Sequence, residues 1–82
     1  MNKNYRLITK IEGIKELNCL NDISKKLKEL GAINVIFEYS LDIINIDYIG
    51  NEEEANKYYL ALAELGYTLD RLAVFNLDEV YS

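Results

Sequence analysis

The chain has no histidine, no proline and no tryptophan, and only one cysteine and four glycines among its 82 residues. Without histidine, imidazole catalysis is excluded and so are most zinc sites. The single thiol, Cys19, excludes an internal disulfide and any Cys-x-x-Cys site made by one chain. Cations are scarce: nine Lys and Arg stand against fourteen Asp and Glu, a net charge of −5, which argues against a nucleic-acid partner. No apolar run approaches the ~18 residues of a membrane span, and Met1 to Arg6 is polar rather than signal-like. Neither membrane insertion nor secretion is expected, and the protein is expected in the cytoplasm. No nucleophile stands beside a base in any familiar pattern, so no enzyme is expected.

What remains is half hydrophobic and 28% charged, the composition of one globular domain over residues 1–82. The charge is unevenly placed. Residues 1–41 hold seven Lys/Arg and five Asp/Glu, whereas residues 42–82 hold two and nine. The halves are therefore +2 and −7, compatible with a dipole that steers a partner and equally with a solvated acidic helix.

Along the chain two periods alternate. Residues 5–12 alternate as a strand, and Gly13 ends it ahead of a loop through Leu17. From Asn18, the expected N-cap, Leu20, Ile23, Leu27 and Leu30 recur at helical spacing, and Gly31 sits where a left-handed C-cap belongs. Residues 33–39 and 43–49 read as two strands joined by a turn near Ser40 and Asp42. Asn51 followed by Glu52, Glu53 and Glu54 is a helix start, with acids at the positive end of the dipole. Ala55, Tyr58, Tyr59, Leu62 and Leu65 form the apolar stripe, and Gly66 stops the helix. Residues 68–77 make a last strand. The order is β-α-β-β-α-β, an α+β ferredoxin-like sandwich with two helices on one face of a four-stranded antiparallel sheet.

The stretch Gly13-Ile14-Lys15-Glu16-Leu17-Asn18-Cys19 resembles the metal loop of the heavy-metal-associated domain family, which comprises copper chaperones and the N-terminal modules of metal-pumping P-type ATPases. That family carries Gly-Met-x-Cys-x-x-Cys between its first strand and first helix. Here the glycine matches, Ile14 replaces the methionine, Glu16 replaces the first cysteine and Cys19 matches the second. Ala63 to Tyr67 (Ala-Glu-Leu-Gly-Tyr) is similar to the Gly-Tyr that closes the family's second helix beside the metal loop. The resemblance covers about residues 5–75 and implies a small metallochaperone-like protein or pump module that binds a metal.

It implies Cys19 and Glu16 as metal ligands, with Glu12 and Asp22 as neighbouring carboxylates. Two thiolates suit Cu(I). A thiolate with a carboxylate favours Zn²⁺ or another divalent ion and leaves half a tetrahedral shell unfilled, so binding of Zn or Cu is expected to be weak or absent. The basic residues Lys15, Lys25, Lys26 and Lys28 would dock an acidic partner such as a metal-transporting ATPase domain.

Read from the residues alone, Cys19 is a partly buried thiol without a metal role, a metal ligand, or a modification site. Tyr67 is a packing residue or a shield for the metal loop. The alternative function is a non-metallated protein–protein interaction module that keeps the fold and has lost the site. RNA recognition on strand aromatics (Phe37, Tyr39, Tyr48) is disfavoured by charge and by the missing Gly/aromatic run. Finally, neither alternation set of the strands is polar. Ile8, Ile36, Ile43 and Ile49 oppose Leu7, Ile11, Val35, Phe37, Ile44 and Ile46, so an apolar face stays open and a homodimer or a partner domain is expected on it.

Overall fold

The computed structural model describes residues 3–12 and 17–80. Its elements run β1 (Lys3–Glu12), α1 (Leu17–Glu29), β2 (Asn34–Glu38), β3 (Ile43–Gly50), α2 (Ala55–Glu64), β4 (Thr68–Asn76) and α3 (Leu77–Val80). The strands form one antiparallel sheet in the order β2-β3-β1-β4. This is the expected ferredoxin-like arrangement.

Local chemistry sets the helix ends. Gly31 has φ 119°, open to glycine and strained for other residues. It lets the Ala32 N–H reach the Leu27 carbonyl at 3.0 Å and the Gly31 N–H reach that of Lys28 at 3.1 Å. That pair of bonds is a Schellman motif, and it satisfies two carbonyls the helix would otherwise leave orphaned. At the start of α2 the Asn51 side chain accepts the Glu54 N–H at 3.1 Å, across a 3-10 turn at Glu52–Glu54. Leu17 is already helical, so Asn18 lies inside the first turn of α1 rather than capping it.

Packing decides which strand face is buried. Leu7 and Ile11 on β1 and Ile44, Ile46 and Tyr48 on β3 lie under Leu20, Ile23 and Leu27 of α1 and Ala55, Tyr58 and Leu62 of α2, all buried. Ala61 joins this core, while Leu65 at the end of the expected stripe is exposed, because α2 ends at Glu64 and the chain turns away. The opposite face carries Ile8, Ile36, Ile43 and Ile49, with Ile36 and Ile49 exposed.

β4 departs from a plain strand. Its register against β1 jumps between Ile8 (opposite Ala73) and Thr9 (opposite Arg71), so Leu72 is the extra residue of a bulge and is exposed. The strand also ends at Asn76 rather than residue 77. The Asn76 side chain accepts the Asp78 N–H at 2.8 Å and so starts the short helix α3, which the apolar periodicity did not announce.

Candidate metal centre

In this topology β1 ends, α1 begins, the β2–β3 hairpin turns, and α2 gives way to β4 at one end of the sheet. Residues 13–16 join β1 to α1 there. Glu16, Gly13, Ile14 and Lys15 lie outside the described residues, so the expected pairing of Glu16 with Cys19 does too.

Cys19 stands in the first turn of α1 and is a free, half-buried thiol. Tyr67, directly after the left-handed Gly66 (φ 96°), comes to it from the other side of the end. Burial pushes the Tyr67 phenol pKa up, and the neighbouring Cys19 and Asp22 push it the same way. Each effect penalises a phenolate, because a negative charge would have to form in a drier site beside other anions. Tyr67 also packs against the core cluster. Its ring therefore packs, as one of the two readings of the sequence had it; the loop it would shield lies outside the described residues.

Asp22 lies three residues after Cys19, on the same side of α1. Glu12, the last residue of β1, lines a cleft with Leu20, Phe37 and the hairpin. Among the described residues no three of Cys, Asp and Glu gather closely enough to hold a metal ion. What the described part of this end offers is one soft donor, Cys19, partly buried in the first turn of α1 and close to Tyr67.

No protein-family model and no curated protein sequence matches the chain. Solved structures do. The N-terminal domain of a potential copper-translocating P-type ATPase from Bacillus subtilis, in its Cu(I)-loaded state, superposes with a TM-score of 0.74 at 25% identity, over 88% of this chain and 91% of that one. The yeast copper transporter domain Ccc2a, solved in apo and Cu(I)-loaded states, gives 0.73 at 20% identity over 84% and 96%. A copper-binding domain from HMA7, a P-type ATPase, gives 0.64 at 14% identity over 85% and 96%. Nearly the whole of each neighbour is covered, so the likeness is of complete domains rather than of a shared βαβ piece. In element order and sheet topology the chain is thus similar in fold to these copper-binding, heavy-metal-associated domains.

Proposed function

We propose that the protein is a metal-handling module that takes a transition-metal ion at the β1–α1 loop, with Cys19 as the soft ligand and Glu16 as the second. The observation that carries this reading is the position of Cys19. Its thiol is partly buried in the first turn of α1, near Tyr67, rather than sealed in the core. The Cu(I)-loaded neighbour from Bacillus subtilis supports it.

The donor chemistry then sets the behaviour. One thiolate and one carboxylate satisfy neither the two soft ligands that Cu(I) takes nor the four that Zn²⁺ takes. A stable complex needs donors from a partner, which suits a protein that passes its cargo on. The exposed Lys25, Lys26 and Lys28 on α1 supply the complementary charge for an acidic partner such as a transporter domain. The open sheet face is the second contact surface. Self-association through it is read by sedimentation at two concentrations, with Ile36→Lys as control.

The test is titration with Cu(I) or Zn²⁺ against a moderate thiol competitor. Weak uptake that disappears in Cys19→Ser supports the reading. Uptake unchanged by Cys19→Ser overturns it. No uptake in the presence of an acidic copper-ATPase domain leaves the non-metallated interaction module, which the missing second thiol favours.

A further inference from the structure

Strand β2 is an edge strand without a guard. In the order β2-β3-β1-β4 it bonds to β3 on one side, and among the described residues its other side makes no backbone bond. A row of unpaired N–H and C=O groups invites another strand, and proteins blunt such edges with bulges, charges or proline. The opposite edge is blunted in that way. β4 is broken by the bulge at Leu72 and carries the exposed Asp70 and Arg71 beside it. β2 is not. Asn34-Val35-Ile36-Phe37-Glu38 holds no proline, glycine or cation, and its register against β3 runs without a shift.

Exposed apolar surface follows the same edge. Ile33, Ile36, Tyr39 and Leu41, on β2 and its two flanks, are 47%, 44%, 69% and 60% exposed, and they are half of the exposed large apolar side chains among the described residues. Val35 and Phe37 pack against the core from this side and stay partly exposed. A β-branched and aromatic run, low in charge and open along its backbone, is the pattern that pairs between chains.

The backbone chooses a strand as the occupant, and the side chains choose which strand. When two copies of β2 pair antiparallel in one sheet, residues of like face must stand opposite each other. About a two-fold axis at Ile36 all five residues are used. Val35 then faces the second copy's Phe37 on the helix side, and Asn34 faces the second copy's Glu38 on the open side. No like charges meet in this register, whereas an axis at Glu38 would oppose two carboxylates.

We infer that a second copy of this chain adds its own β2 to this edge, antiparallel about Ile36, joining the two sheets into one. The contact is made along the β2 backbone, away from Cys19, and needs no metal. Its failure and the failure of the metal reading are therefore distinguishable.

The experiment is sedimentation velocity of the metal-free, reduced protein over a wide range of concentration. A monomer–dimer equilibrium is expected. Asn34→Glu sets a carboxylate against Glu38 of the other copy at each end of the pairing, and should weaken the dimer about tenfold. Adding Glu38→Lys turns each repulsion into an attraction and should restore it. Both positions are exposed, and a variant that merely unfolded would not be rescued. Ile36 belongs to the edge and to the open face alike, so Ile49→Lys, on β3 beyond the end of β2, tells the two apart: the edge dimer should survive it. A monomer at every concentration, a loss that Glu38→Lys does not repair, or a dimer abolished by Ile49→Lys would each overturn the inference.

Discussion

The Arg6 guanidinium grips the Asp47 carboxylate at two points, Nε to Oδ1 at 2.6 Å and Nη2 to Oδ2 at 2.9 Å, on the sheet face that no helix covers. The two residues are direct register partners on β1 and β3. Their side chains retain 27% and 10% of their exposure, so the pair is between a surface bridge and a buried one. Around it the face is apolar: Ile8 and Phe75 are half-buried and Ile49 is exposed. Slipping β1 by one residue against β3 would break the pair and invert every side chain, so it holds the register as well as adding stability.

Asp47→Asn should therefore cost about 2 kcal/mol, more than an exposed pair and less than a fully buried one. Urea unfolding measures it. The double variant with Arg6→Met should recover part of the loss, because the cation that lost the Asp47 carboxylate is then gone. Equal losses in single and double variants would show that the two residues are not coupled.

Alkaline stability should be set by buried tyrosines. Burial, with help from Glu54 and the neighbouring Tyr5 and Tyr58, pushes the Tyr48 phenol pKa from 10.0 up to about 12. Tyr58 is raised too, by burial and then by Glu54. A raised folded pKa means that the folded state keeps its protons longer than the unfolded chain. This contribution is fully present below pH 10 and is lost as the pH climbs from there to about 12. Tyr48→Phe should flatten that alkaline limb. At neutral pH it should cost about 1 kcal/mol for the lost bond to the Asn51 carbonyl.

The contact between Tyr67 and Cys19 has a spectroscopic consequence. Cys19→Ala removes two of the four causes that raise the Tyr67 phenol pKa, while burial and Asp22 remain. Its titration, followed by difference absorbance or ring shifts, should move down toward the ordinary 10.0 without reaching it. An unchanged Tyr67 titration would separate the hydroxyl from the thiol.

Glu16→Cys should turn a weak site into a strong one for Cu(I). The change supplies the second soft ligand at the matching loop position, and Cu(I) binds two thiolates nearly linearly. Retention of Cu(I) against a competitor that strips the parent protein is the expected outcome.

Gly31→Ala should destabilise by about 1–2 kcal/mol, the usual cost of a left-handed L-residue. The new Cβ would also come within 3.1 Å of the Tyr58 hydroxyl. Chemical denaturation reads this directly, and Gly66→Ala, with open space around it, should suffer the backbone cost alone.

The sequence by itself determined what depends on near neighbours. Leu20, Ile23 and Leu27 recur on one helical face, Gly31 supplies a conformation few other residues tolerate, and Asn51 caps the turn three residues on. These rules act over one or two turns, and they suffice for βαββαβ. The Gly13–Cys19 stretch likewise carried the family resemblance within seven residues.

Tertiary structure decided everything that joins distant segments. Both faces of the strands are apolar in sequence, and only the docking of α1 and α2 chose Leu7, Ile44 and Ile46 for the core and left Ile36 and Ile49 outside. Arg6 finds Asp47 across 41 positions, and Tyr67 finds Cys19 across the whole of the second half-motif. Hydrophobic burial is non-directional, so composition can specify how much surface is hidden but not which of two equivalent faces. The choice belongs to the whole fold, where one face has helices to meet and the other has not.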